Sequence, residues 1–490
     1  MARKAALSFI TIALLSAASL PAFAADVSVS TSGGTTLVSH GLVGFGRMPA
    51  SLKDKMGETF GSGSALSIDP SKWTKAADGT YTGTFYLLPD RGYNVVGTTD
   101  YQGRLNTLSV TFKPVADGAT DADQKSIDAK LVDSLPFTDN KGMAFSGLDP
   151  IDGVRPAADG LPELGQAANG KLVIDAEGIV RLADGTFFIS DEYGPDIFRF
   201  DATGKLMSVT QPPEALLPVR KGKHNYSANA PTVGATGPDP ADPETGRQNN
   251  QGLEGLSMTP DGKFIIALLQ SATRQDGGDK ASTRNNTRAL VYDAADPANL
   301  KLVHEYVVQL PVFKSGDKTL VAAQSEIVAI SDTAFLMLAR DSGNGQGLKG
   351  DTSLYRKVDL VDLSGATDIA GTDFDKPTKP VAPKGVLDPS VKPATTTDFI
   401  DINNNDELKK VGMHNGAPND KTNLSEKWEG MALASVLDPA APDDYFLFLA
   451  NDNDFLTQDG FQVGAAYKAD GGADVDTMLQ AYRVTIPGLK

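Results

Sequence analysis

Apolar residues in this chain recur as paired short runs, each pair split by a polar turn. The clearest pair is Glu177-Gly178-Ile179-Val180-Arg181-Leu182, a turn through Asp184-Gly185, then Phe187-Phe188-Ile189-Ser190-Asp191-Glu192. A short Asp-Gly connection between two β-rich runs predicts a hairpin. The same grammar returns at Glu254-Gly255-Leu256-Ser257-Met258, turning through Pro260-Asp261-Gly262-Lys263 into Phe264 to Ser271. It returns again from Glu326 to Ile330 with Phe335 to Asp341, and from Glu429 to Leu433 with Tyr445 to Asp452. A weaker first copy runs from Ser64 to Ile68 and from Phe85 to Arg91. Further strand-like runs follow several copies, at Ile197 to Asp201, Ala289 to Asp293 and Leu354 to Asp359.

Repeated four-stranded units predict an all-β fold, a single β-propeller whose innermost strands line a central channel. The five copies begin at residues 64, 177, 254, 326 and 429. The two wider gaps call for insertions or a hidden blade, so six blades are expected, the sixth built partly from the ends Val27 to Val43 and Leu479 to Ile486. Gln211 to Asn250 and Asp375 to Lys427 are rich in Pro, Gly, Asn and Asp and read as long loops of the same domain. Such loops are either functional or mobile surface insertions.

Composition narrows the chemistry. Of 490 residues, 40% are hydrophobic and 22% charged, enough for a large core. Sixty-two acidic residues against 45 Lys and Arg leave a formal charge of −17, which disfavours nucleic acid and anionic lipid. The chain has no cysteine, so disulfides, thiolate metal sites and cysteine nucleophiles are excluded. Its start reads as an address. Arg3 and Lys4 precede an apolar run from Ala5 to Leu20, and Ala22-Phe23-Ala24 is a small-x-small cleavage pattern. That run is shorter than the roughly 20 apolar residues a membrane span needs. Residues 1–24 are therefore expected to be a signal peptide and 25–490 the propeller domain, periplasmic or secreted, with no membrane span and acting as a monomer.

Propeller geometry turns the repeat into a candidate site. An inner strand starts at one rim of the channel, and the second strand returns to that rim, so both ends converge. Glu177 is thereby expected near Asp191 and Glu192, Glu254 near Gln270, Glu326 near Arg340 and Asp341, and Glu429 near Asn451, Asp452 and Asp454. The first copy adds Asp90 and Arg91. Carboxylates and amide oxygens with only four histidines in the chain suit a hard divalent cation, calcium before others. The expected ligands are Glu177, Asp191, Glu192, Glu254, Glu326, Asp341, Glu429, Asn451 and Asp452. The same acidic residues are equally consistent with a solvated rim or with caps on neighbouring backbone.

Familiar catalytic motifs fail. There is no Gly-x-Ser-x-Gly elbow. Gly165 to Leu172 lacks the Ser or Thr that ends a phosphate loop, and Asp401 to Asp406 has Asp406 where a calcium loop needs Gly. His304, in the strand-like Leu302 to Val308, reads as structural.

Five stretches together resemble the phytase-like domain family, "esterase-like activity of phytase". They are Asn250-Gln251-Gly252-Leu253-Glu254-Gly255-Leu256, Ala267 to Ser271, Leu338-Ala339-Arg340-Asp341-Ser342-Gly343, Lys427-Trp428-Glu429-Gly430 and Leu449 to Asp454. The resemblance runs from about Gly63 to Asp454. It departs at Gly63-Ser64-Ala65-Leu66, where a Ser-Gly-Leu start is usual. It implies an exported β-propeller hydrolysing phosphate esters of a small-molecule substrate with metal assistance, Glu254, Arg340 and Arg91 serving catalysis and Arg288 a further candidate. A lactonase or carboxylesterase, and a non-catalytic calcium-stabilised binding propeller, are the alternatives.

Overall fold

A computed structural model describes residues 26–341, 346, 350 and 352–489. The expected leader and the motif residues Ser342 and Gly343 lie outside the described residues. Five antiparallel sheets are arranged around one axis, each running outward from an innermost strand. In order these innermost strands are Ala65–Ile68, Ala176–Arg181, Leu253–Met258, Ala323–Ser331 and Lys427–Ser435. Each packs against the next, and the fifth packs against the first, which closes the ring.

The blade number corrects the expectation of six. Chain ends do close the ring, but within the fifth blade. Its strands run from Lys427–Ser435 through Asp444–Asp452 and Thr477–Thr485 to Thr36–Met48, with Val27–Ser30 outermost. One blade is thus stitched from both termini, so the wide gaps in the repeat spacing hold insertions and no sixth sheet.

The core lies between blades, because alternate residues of each sheet face the neighbouring sheet. The first and fifth blades meet through aromatic rings. Trp73 and Phe85 pack edge-on to Phe448 at 5.8 and 4.9 Å, and Tyr81 packs on Phe446 at 5.0 Å. Aliphatic clusters join the second to the third blade and the third to the fourth.

Both long loops are packed. In 211–250, the fully buried Arg247 donates to the carbonyls of Tyr193, Tyr226 and Ser227. The expectation of a loop throughout 375–427 is corrected: Thr395–Asp401 is the outermost strand of the fourth blade, paired with Arg356–Asp362, and in the segment before it Ile369, Val381 and Val391 cover Val307 of the third blade. Asp276 accepts from the Val381 and Ala382 amides while pairing with Arg288. Arg288 is thereby fixed among Asp276 and Glu305 inside the third blade, a correction to its candidacy as a site cation.

If both termini complete one blade, Phe45, fully buried on the N-terminal closing strand, should carry large weight. Phe45→Ala is expected to cost about 3–5 kcal/mol in denaturant unfolding. Val312→Ala, at a half-exposed position, should stay within ~0.5 kcal/mol. Equal midpoints for the two variants would refute closure through the N-terminal strand.

Candidate functional site

Four of the five innermost strands carry a β-bulge near their first residues, and the bulge decides where each acidic side chain points. In the third blade Leu253 pairs with Leu269 and Gly255 with Leu268, which leaves Glu254 as the extra residue. In the fifth, Trp428 pairs with Asn451 and Gly430 with Ala450, leaving Glu429. In the second, Glu177 and Gly178 fall between the Ala176–Asp191 and Ile179–Ile189 pairs. A bulge re-aims the side chain it carries, and here it turns Glu177, Glu254 and Glu429 into one cavity of about 60 Å³ in the channel.

The glycine after each glutamate has a steric cause. A Cβ on Gly178 would sit 2.5 Å from the Glu254 carbonyl oxygen of the next blade. On Gly255 it would sit 2.9 Å from the Ile327 nitrogen, and on Gly430 3.0 Å from the Leu66 Cβ. Neighbouring inner strands are also tied by hydrogen bonds: the Ser190 hydroxyl accepts from Gly178 N at 2.7 Å and donates to Glu254 O at 2.6 Å.

The fourth blade breaks the pattern. There Gln324 pairs with Ala339 and Glu326 with Leu338, so the extra residue is Ser325. Glu326 is one position out of register with Glu254, and a shift of one residue changes the face a side chain occupies. Its Oε1 accepts from the Leu256 and Ile327 amides, at 3.1 and 2.9 Å. This corrects its expected place on the cavity wall. Ser325 takes the bulged position and accepts from Arg340 Nε at 3.0 Å.

Three other expected ligands are committed to holding backbone. Asp191 accepts from the Asp175 and Gly194 amides, at 2.8 and 2.6 Å. Asp341 accepts from the Ser353 hydroxyl and the Leu354 amide, both at 2.6 Å. The Asn451 amide group donates to Ser425 and to Asp476 O and accepts from Met478 N. They build the rim and leave the wall to others.

The cavity wall is formed by Glu177, Glu192, Glu254, Glu429, Asp90 and Asp175, with the cations Arg91, Arg340 and Lys427 and the amides Asn94, Asn250 and Gln270. Asp452 and Asp454 adjoin it. Asp175 and Lys427 were not anticipated, although strand alternation offered a signal: each lies two residues before a bulged glutamate, on the same side of an extended chain. Asn250 comes from the end of the 211–250 loop.

Two acidic triads stand out, Asp90 with Asp452 and Asp454, and Asp175 with Glu177 and Glu192. In each, one oxygen per residue lies within 4.8 Å of the others. Oxygens bound at 2.3–2.6 Å to one calcium ion are at most about 5 Å apart, so both spacings are compatible with a shared ion. The donors are hard oxygens, and among the described residues no histidine lines the cavity.

Charge is unevenly balanced here. Arg91 Nη1 lies 2.7 Å from Asp175 Oδ2, and Arg340 pairs with Glu429. Lys427 pairs with Asp452 and, at 2.8 Å, with Asp454. Six buried carboxylates on this wall, with buried Asp452 and half-buried Asp454 beside it, therefore face three cations. Burial, then the charges of Glu254 and Asp175, drives Glu177 well above the ordinary carboxylate range. Burial and the Glu192 charge do the same to Glu254. Burial and Asp175 push Glu192 up to about 8. Glu429 is raised by burial to about 7 against the pull of Lys427 and Arg340. Glu254 Oε2, Glu192 Oε1 and Asp175 Oδ1 are buried without a hydrogen-bond partner among the described residues. An uncompensated buried charge is costly, so the cavity fits a cation.

A family model described as "Phytase-like: Esterase-like activity of phytase" matches residues 59–455. The chain belongs to the phytase-like family. A curated relative from Arthroderma benhamiae, described as an "Uncharacterized secreted protein", is 39% identical over 459 residues, covering 87% of the phytase-like chain and 89% of its own. A solved luciferin-regenerating enzyme overlaps 88% of the phytase-like chain and 94% of its own at 9% identity and a TM-score of 0.26. At that identity and TM-score the overlap carries no argument about chemistry.

A carboxylate with a raised folded pKa binds its proton in the folded state before it does so in the unfolded one. Its contribution to stability therefore falls as pH rises from the unfolded value toward the folded one. Chelator-treated protein should lose melting temperature between about pH 5 and 8, as Glu192, raised to about 8, ionises with its buried Oε1 unpartnered and Glu429, raised to about 7 by burial, ionises beside it. Calcium at about 100 times its Kd should restore about 2.7 kcal/mol at pH 8. A melting curve unaffected by chelator and by pH over this range would leave the acidic wall as inert structure.

Proposed function

We propose that this phytase-like chain is an exported, calcium-dependent hydrolase of ester bonds, with phosphoric monoesters as its first substrate class and carboxylic esters its second. The observation that carries this reading is the channel cavity, where the unpartnered oxygens of Asp175, Glu192 and Glu254 stand beside the guanidinium groups of Arg91 and Arg340. The family description, with its phytase and esterase terms, supports the reaction class. The secreted relative supports export, and the small-x-small pattern Ala22-Phe23-Ala24 after the apolar run is what supports cleavage near Ala24 and a periplasmic or extracellular destination. Among the described residues no helix is long and apolar enough to cross a membrane.

Asp175, Glu177, Glu192 and Glu254 would hold the ion. A divalent cation there supplies a Lewis acid and a water of lowered pKa. The residues do the rest. Arg91 and Arg340, each tethered to a carboxylate, present fixed positive charge to an anionic ester without a reorganisation cost. Asn94, Asn250 and Gln270 give neutral donors and acceptors that orient a substrate without adding charge. Glu254, with one oxygen free of hydrogen bonds, is the residue placed to hold or release a proton at the reacting centre. The cavity is small, about 60 Å³, which suits a cation and a small reacting group better than a whole large substrate. This small volume is also what favours the second reading, a non-catalytic propeller whose calcium only stabilises the ring.

Glu254→Gln removes the charge with little change in volume and is expected to lower turnover by ~100-fold or more. Asp261→Asn, at the turn ending the same strand, where Asp261 holds the Lys263 amide, should retain wild-type turnover. Phytate, p-nitrophenyl phosphate, p-nitrophenyl acetate and a lactone, each with calcium and with chelator, separate the substrate classes. Wild-type protein inert toward all four with calcium bound would sink the hydrolase reading in favour of the binding propeller.

A further inference from the structure

The two acidic triads in the channel are alike in spacing and unlike in how their oxygens are used. In the triad of Asp90, Asp452 and Asp454, the oxygens are occupied. Asp90 accepts from the Gly92 amide at 3.1 Å and from Asn94 Nδ2 at 3.3 Å. Asp452 accepts from the Asp454 amide at 2.6 Å, and its other oxygen takes a hydrogen bond from Lys427 Nζ. Asp454 accepts from the same ammonium at 2.8 Å. In the triad of Asp175, Glu177 and Glu192, extended by Glu254, Arg91 Nη1 reaches only Asp175 Oδ2, at 2.7 Å, and Asp175 Oδ1, Glu192 Oε1 and Glu254 Oε2 stay buried without a partner among the described residues. Glu192 and Glu254 are each only 2% exposed.

We propose that Lys427 is the built-in counter-ion of the Asp90, Asp452 and Asp454 triad, so that the channel takes one divalent cation, at Asp175, Glu177, Glu192 and Glu254, and not two. This deepens the reading of the cavity as a cation site and rests on it. An ammonium is a compact point charge with three donors on a flexible stem. It occupies the place where the Asp452 and Asp454 oxygens converge, as a metal would, and a second divalent ion would have to displace it or sit against it. Lys427 also lies 3.9 Å from Glu429, which spreads its charge toward the Arg340 pair. Burial opposes the ammonium form, but the neighbouring Asp452 and Asp454 hold Lys427 well above its ordinary pKa. Lys427 is accordingly a positioning residue: it confines the ion to the side of the channel where Arg91 stands.

Calcium titration of chelator-stripped protein by calorimetry reads this directly, independent of any turnover. Wild type is expected to bind one calcium ion. Lys427→Met keeps the aliphatic stem and removes the charge, and is expected to bind two, the second being lost again in the Lys427→Met, Asp454→Asn double variant. Two ions in the wild type, or one in a folded Lys427→Met, would overturn the proposal while leaving the catalytic reading standing. No calcium in the wild type would overturn both. If Lys427→Met does not fold, Asp454→Asn decides: retention of one calcium within a few-fold of wild-type affinity, against loss in Glu254→Gln, supports the assignment. Loss of calcium in Asp454→Asn overturns it.

Discussion

Five inner strands converge so closely on one axis that backbone of one blade nearly touches backbone of the next, and this crowding governs the rest of the molecule. At the tightest points a side chain has no room, as the 2.5 Å gap from a Cβ on Gly178 to the Glu254 carbonyl shows. Glycine relieves the crowding, and the bulge beside it supplies the extra residue that aims a carboxylate inward. Glutamate and glycine are therefore two halves of one device. The glycine lets the blades meet, and the glutamate uses the resulting kink to enter the channel. Where the fourth blade places its bulge at Ser325, the device is missing and no carboxylate from that strand reaches the cavity.

Crowding also fixes the electrostatics. Side chains turned into a narrow channel lose water, and burial is the leading cause of every raised carboxylate in it. The chain answers with arginines from neighbouring blades and with Lys427 within the fifth. Arg91 leaves the first blade to meet Asp175 at the second, and Arg340 leaves the fourth to meet Glu429 in the fifth. These pairs cross blade boundaries, so they tie the ring together while neutralising part of the wall. Asp452, the carboxylate closest to Lys427, shows how far one cation reaches. Burial works against its ionised form, yet the ammonium holds its pKa below the ordinary value. Glu177, with carboxylates as its charged neighbours, is driven the other way, and so is Glu254, where burial and the charges of Glu192 and Glu429 outweigh the pull of Arg340 and Lys427.

Much of this was legible in the sequence, and the misses have physical causes. Hairpin pairs with polar turns are written locally, in alternation and Asp-Gly steps, so all five inner strands were found where they stand. The number of blades depends on which sheet receives the two chain ends, a pairing across more than 400 residues that local pattern does not encode. Glu326 was misplaced because its Glu-Ile step resembles Glu-Gly in a linear reading, whereas the bulge falls one residue earlier. Asp191, Asp341 and Asn451 carry the right chemistry at the right rim, but a carboxylate or amide beside a strand end competes for free backbone amides, and in all three the backbone won. Asp175 and Lys427 carry no repeat signature, because the residue two before the bulged glutamate is Asp175 in one blade, Gly252 in the next and Lys427 in the last.

The long insertions complete the argument from crowding. A channel narrow enough to strip water from its wall must still be entered, and the 211–250 insertion reaches its wall. The 211–250 loop is held by Arg247, whose guanidinium ties Tyr193 beside Glu192 to Tyr226 and Ser227 within the loop. The same loop ends at Asn250 on the cavity wall. Its position is thus set in part by Tyr193, the residue next to Glu192 of the acidic triad. Ring, wall and loop form one connected unit, in which the inner strands fix the charges and Arg247 anchors the loop that borders them.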